Sequence, residues 1–192
     1  MSESPRAAPA ARGSRRTLLL IALVCVAPVV ASYTMYYVFP REARVNYGTL
    51  LPTAPAPVIE GAAADGAPFR LADLAGRWVL VVRADAGCDA ACARTLYATR
   101  QARTIQGREQ ERVVRVWLVT DDASPAAGVI ADQPGLVVAR VARDRAAALP
   151  WGDGAILLLD PLGNIVLRYP DDPDIRGLAR DLGRVLKASR IG

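Results

Sequence analysis

Cys88 and Cys92 form a Cys-x-x-x-Cys pair in the stretch RADAGCDAACARTLYATRQ, where an apolar run gives way to a helical pattern. Thiolates attack disulfides and bind soft metal ions, and a helix N-terminus stabilises them through unpaired N–H groups and its partial positive charge. Residues i and i+4 of a helix stand about 6 Å apart at Cα, within the disulfide range of about 4.4–6.8 Å, so the pair can bridge if Cys88 sits at the cap. Asp85 and Asp89 work against an acidic thiol, and Arg83 and Arg94 offset them. Two thiolates can hold Cu(I) but hold Cu(II) poorly without a nitrogen ligand. The residues alone leave three states open: a redox-active or metal-transferring pair, a stable structural disulfide, or two idle thiols.

The 192 residues include no histidine. Ser-His-Asp catalysis, HExxH chemistry and the usual Cys/His zinc sites are therefore excluded. The only methionines, Met1 and Met35, precede the globular part, so a partner would have to supply any third metal ligand. No Gly-rich phosphate loop is present. The net charge of +5 is unevenly placed: Arg6, Arg12, Arg15 and Arg16 against Glu3 put +3 in the first sixteen residues. The basic pI therefore signals no nucleic-acid partner. Arg94, Arg100, Arg103, Arg108, Arg112 and Arg115 read as a solvated face in preference to a docking patch, given Glu109 and Glu111 among them.

The elements that must position the cysteines follow from periodicity. Residues 77–85 form a continuous apolar run, as in a strand buried on both faces. A helix is predicted over 89–106, with Ala93, Leu96, Tyr97, Ile105 and the stem of Arg100 inward and Gly107 as its stop. Residues 112–120 and 135–141 read as further strands, with a weak helical turn between them. Asp121-Asp122 reads as a turn and helix cap. Residues 154–160 and 164–170 flank Pro161-Leu162-Gly163 and predict a hairpin. The chain closes on an amphipathic helix with Ile175, Leu178, Leu182, Val185 and Leu186 on one face, started by Asp172 or Asp174. Strand, helix, strand, hairpin and final helix is the order of a thioredoxin-like α/β domain, a central mixed sheet flanked by helices. In that fold Trp151-Gly152-Asp153-Gly154 lies opposite the cysteines, either lining the site or simply turning.

Upstream, residues 17–39 carry no charge. A helix of that length spans roughly 34 Å, enough for a hydrocarbon core of about 30 Å. Tyr33, Tyr36, Tyr37 and Phe39 crowd its far end as an aromatic belt would, and the flanking arginines favour a cytoplasmic N-terminus. Val29-Val30-Ala31 offers a cleavage site, but the apolar run continues too far beyond it for a signal core. Cys25 follows Val24, not the small residue of a lipoprotein site, and reads as a lipid-buried thiol. The expected organisation is a cytoplasmic basic tail (1–16), a transmembrane helix (17–39), a Pro-rich tether (40–57) and a periplasmic thioredoxin-like domain (58–192). That organisation predicts a single-pass protein of a bacterial inner membrane, with the lipid bilayer as its first partner.

A membrane anchor, a proline-bearing tether, PFRLADLAGRWVLVV, the Cys-x-x-x-Cys loop and ILLLDPLGNIVLRY together resemble the Sco/SenC family over roughly residues 57–192. The resemblance implies a tethered thioredoxin-like protein that helps assemble the copper centre of cytochrome c oxidase, acting with an oxidase subunit or another copper or thiol assembly factor. It also implies copper held by Cys88, Cys92 and a distant histidine. The histidine position falls near Gly152, so that ligand set is incomplete here. The family's prolines after each cysteine are replaced by Asp89 and Ala93. The functions that follow are accessory work in oxidase maturation, by copper handling or thiol–disulfide exchange at Cys88 and Cys92. The alternatives are a non-catalytic interaction module with a structural disulfide, or a general periplasmic thiol reductase. Any enzymatic activity would be at most that of a thiol–disulfide oxidoreductase.

Overall fold

The computed structural model describes residues 14–38, 46–150 and 152–189. It has two compact units, Met1–Arg44 and Val45–Gly192. The expectations for the basic tail before residue 14, for Phe39 and the following arginines, and for Trp151 lie outside the described residues.

In the first unit, α1 runs Ser14–Val38. Its window Arg15–Met35 has a mean hydropathy of 2.3 and is long and apolar enough to cross a membrane. Pro28 sits inside it and lacks the N–H that would bond the carbonyl of Val24. The rings of Tyr33 and Tyr37 stack 6.2 Å apart, one turn from each other.

The second unit is built on eight strands: β1 (Thr49–Pro55), β2 (Glu60–Ala63), β3 (Pro68–Arg70), β4 (Trp78–Ala84), β5 (Val113–Val119), β6 (Leu136–Arg140), β7 (Ile156–Leu159) and β8 (Asn164–Tyr169). They form one sheet in the order β1-β8-β7-β4-β5-β6-β2-β3. β4, β5 and β6 are parallel to one another, and every other pairing is antiparallel. The helices are α2 (Ala90–Thr104), α3 (Ala127–Ala131), α4 (Arg143–Ala147) and α5 (Ile175–Ala188). The mixed, helix-flanked sheet is the expected thioredoxin-like architecture.

Alternation along the central strands makes two cores. Leu80, Val82 and Trp117 face the side carrying α2 and α5, where they meet Leu96, Leu178 and Leu182. Val79, Val81, Val116 and Leu118 face the other side, against Ile59, Phe69, Leu71 and Leu149. Each fully buried leucine contributes about 2 kcal/mol, so this double-sided burial fixes the central strands and hence the loop after β4.

Two expectations change. Residues 49–55, assigned on their prolines to the tether, form edge strand β1, paired with β8. An edge strand bonds on one side only, so Pro52 and Pro55 are tolerated, and the register shifts between Leu50 and Ala54. On α2, Ala93 and Tyr97 face solvent, as does Ile105 at its C-cap, while Cys92, Thr95, Leu96, Ala98, Thr99 and Ala102 are buried. The two threonines can point inward because their hydroxyls donate to backbone carbonyls, Thr99 to Leu96 and Thr95 to Asp171.

Just before β1, the chain clips onto α5. The Gly48 amide donates to buried Asp181 at 2.8 Å, and the Asp174 amide donates to the Tyr47 hydroxyl at 2.8 Å. The Tyr47 ring fills the space over Gly177, where a Cβ would lie 2.5 Å from it. Tyr47 also stacks on Tyr169, with centroids 6.1 Å apart. The Tyr169 hydroxyl is buried without a hydrogen-bond partner among the described residues. Burial, then the Asp181 charge, pushes its pKa up. Tyr169→Phe removes that orphaned group, so stability should stay level or rise by up to about 1 kcal/mol. Urea titration of the full chain in detergent measures this, and a clear loss would mean the hydroxyl is bonded after all.

Candidate functional site

β4 carries the chain to the end of the sheet, and the loop 85–89 turns it into α2. Three bonds fix that loop. The Cys88 amide donates to the Asp85 carbonyl at 3.1 Å. The Ala86 amide donates to Asp121 Oδ1 at 2.9 Å, and the Thr120 hydroxyl donates to Asp85 Oδ1 at 2.6 Å. The parallel pairing of Ala84 with Val119 makes the last two possible, because it sets residues 120–121 beside 85–86. The hydrogen bond from the Thr120 hydroxyl acts most strongly; desolvation opposes it, and the Arg143 guanidinium adds to it, so the Asp85 carboxyl is held below its ordinary value. That clasp is complete above about pH 4 and is lost as the pH falls through the lowered value.

Cys88 and Cys92 are joined by a disulfide, with Cα atoms 5.1 Å apart. Cys88 is half-buried and lies in the left-handed region at φ 34°, which costs a non-glycine residue about 1–2 kcal/mol. Cys92 is buried on the inner face of α2. Asp89 is the N-cap: its Oδ1 accepts from the Cys92 amide at 2.9 Å. A carboxylate thus occupies the helix-terminal donor that could otherwise serve a thiolate.

Across from the sulfurs, the Arg83 Nε donates to Asp153 at 2.6 Å, and Arg83 Nη1 donates to the Ala146 carbonyl at 2.6 Å. The Gly154 amide donates to the Arg83 carbonyl at 2.9 Å, drawing this loop over the end of β4. Gly154 has φ +86°, and a Cβ there would stand 3.0 Å from that of Asp171. The result is a cleft of about 500 Å³ walled by Asp85, Cys88, Asp89, Cys92, Asp153, Gly154 and Asp171.

Several expected roles are redistributed. Arg83 serves Asp153, and the ion-pair partner of Asp85 is Arg143, at 2.9 Å. Arg94 pairs with Asp172 at 3.5 Å, at a largely exposed position. Asp121 holds the cysteine loop instead of capping a helix; the N-cap of α3 is Ala126, which supplies no side-chain bond. The arginine series is not one face, because Arg115 is buried in β5. Thr120, Arg143 and Asp171 carried no isolated signal. Only the pairing of β4 with β5 could have placed Thr120 beside Asp85.

The cleft does not supply the copper ligands that the family resemblance implies. Its sulfurs are bonded to each other, and the loop opposite offers Gly152 and the engaged carboxylate of Asp153. Among the described residues, no group of three or more metal-ligating side chains forms a metal site. Hard carboxylates do not replace imidazole beside thiolates, so these residues do not fit a Cu(II) centre.

A cysteine pair at the start of a helix, at the end of a mixed sheet, defines a thioredoxin-like protein, here preceded by an apolar helix. The chain belongs to the transmembrane-like, thioredoxin-like C-terminal domain family, whose model matches residues 78–189. No curated protein matches it. Among solved structures it is similar to Arabidopsis thaliana ScoI with copper bound, at 16% identity and TM-score 0.62, covering 71% of this chain and 100% of that one. It is also similar to apo Sco1 from Thermus thermophilus, at 21% identity and TM-score 0.59, covering 77% and 98% of the two chains. The thioredoxin domain of a thiol-disulfide oxidoreductase from Bacteroides vulgatus matches at 22% identity and TM-score 0.56, over 71% and 99%. These are likenesses of fold, and they agree with the Sco-like pattern read from the sequence.

Proposed function

We propose that this chain is a membrane-anchored thiol–disulfide exchange protein. Its α1 lies in a bacterial inner membrane, with the N-terminus cytoplasmic and the sheet domain in the periplasm, where disulfides persist. The observation that carries the reading is the disulfide between half-buried Cys88 and buried Cys92, set in an open cleft at the start of α2. A partner thiolate attacks Cys88 Sγ, the Cys88–Cys92 bond breaks, and Cys92 leaves as a thiolate that takes up a proton. A second partner thiolate then attacks the mixed disulfide and releases Cys88. The partner dithiol is oxidised by two electrons and the cysteine pair is reduced by two; the reverse sequence reduces a partner disulfide.

The Sco-like fold supports a place in cytochrome c oxidase maturation, with an oxidase subunit or another copper or thiol assembly factor as partner. Copper enters this reading only as cargo. Once reduced, the pair, whose Cα atoms stand 5.1 Å apart in the bridged form, offers two soft thiolates to Cu(I).

The test equilibrates the full chain in detergent with dithiothreitol redox buffers and counts thiols. One disulfide should cycle reversibly with the fold intact, and Cys88→Ser should abolish the cycle. A bridge that opens only on unfolding would sink the exchange reading and favour a structural disulfide in an interaction module. Cu(I) titration of the reduced protein checks the cargo: one ion bound, and lost in Cys88→Ser, supports it. Turnover of an unrelated model disulfide would indicate a general reductase.

A further inference from the structure

We infer that the disulfide cleft selects a partner segment whose reacting cysteine is flanked by lysine or arginine. This rests on the exchange reading above and names its substrate class. The charged side chains lining the cleft are all carboxylates: Asp85, Asp89, Asp153 and Asp171. Two are offset from outside the cleft, Asp85 by Arg143 and Asp153 by Arg83. Asp89 and Asp171 have no ion-pair partner among the described residues, and both are exposed.

The carboxylates are the walls around a reactive bond, not a site of their own. Any chain that brings a sulfur to Cys88 must enter the field of two carboxylates that no cationic side chain pairs, although the α2 N-terminus offsets part of the Asp89 charge. In a water-filled cleft such a field raises the encounter rate of cations and lowers that of anions, and salt weakens it. A thiolate is itself an anion, so it approaches Cys88 readily only when its neighbours carry positive charge.

The test compares two synthetic thiol peptides, one with lysines and one with glutamates on both sides of a single cysteine. Each reacts with the oxidised full chain in detergent, and mixed-disulfide formation is followed by mass spectrometry. Each rate is divided by that of the same peptide with hydroxyethyl disulfide, which removes differences in thiol acidity. The lysine peptide should react about tenfold faster at low salt. The preference should shrink severalfold at 1 M salt and in the double variant Asp89→Asn, Asp171→Asn. Asparagine still caps a helix, so α2 keeps its start in that variant. Equal normalised rates, or a preference unchanged in the double variant, would overturn the selection and leave exchange standing. Failure of both peptides to react would overturn exchange itself and the selection with it.

Discussion

Arg115→Ala is expected to cost the domain about 3–4 kcal/mol, a large part of the roughly 5–15 kcal/mol that holds a typical domain together. Arg115 is 1% exposed, on the β5 face that meets α2. Among the described residues it has no carboxylate partner, and its Nε makes no hydrogen bond. Burial, then the charges of Arg103 and Arg100, lowers its pKa to about 10, which leaves it charged at neutral pH. Oxygen dipoles just past the end of α3 compensate that charge. Arg115 donates to Gln133 Oε1 at 2.9 Å and to the Pro134 carbonyl at 2.6 Å, and Arg100 donates to the Asp132 carbonyl. Alanine would open a cavity and orphan both of those acceptors. Arg115→Met fills most of the space and removes the desolvated charge, so its cost should be smaller, about 1–2 kcal/mol. Urea unfolding of the two variants measures the difference. Two near-neutral results would show that the 133–134 turn does not depend on this arginine.

Removing residues 46–57 should be still more damaging. A soluble fragment that starts at residue 58 lacks β1 and the Tyr47–Gly48 clip. It bares Tyr169 and Gly177, leaves Asp181 without its Gly48 donor, and turns β8 into an open edge. Such edges recruit other chains. A loss of about 4 kcal/mol would lower the melting temperature by about 15 °C relative to a fragment starting at residue 46. Circular-dichroism melts and light scattering compare the two, and matching curves would show the clip to be dispensable.

What could be read from sequence tracks how local each cause is. β4, β5, the hairpin β7–β8 and α5 came through because each is an apolar run or a clean helical face with its own turn residues. The α2 face was misread because its inner side is threonine and alanine, residues whose burial depends on carbonyls elsewhere. β1 was hidden by its prolines, since only pairing with β8 makes 49–55 a strand. The cysteine pair stood out by spacing alone. Asp85 and Asp89 adjoin it in sequence and the fold order put the Asp153 loop opposite, but Asp171 gave no signal, because it lies far beyond the pair and meets it only through the sheet.

None of the three bonds that hold loop 85–88 passes through a sulfur. Opening the bridge therefore removes none of them, which in the exchange we propose keeps the Cys92 thiol close to Cys88. Ring closure then runs at an effective molarity far above that of any free thiol in solution. In the exchange we propose, the Cys92 thiol and an incoming partner thiol compete for a mixed disulfide on Cys88, and that competition sets how long the covalent encounter lasts.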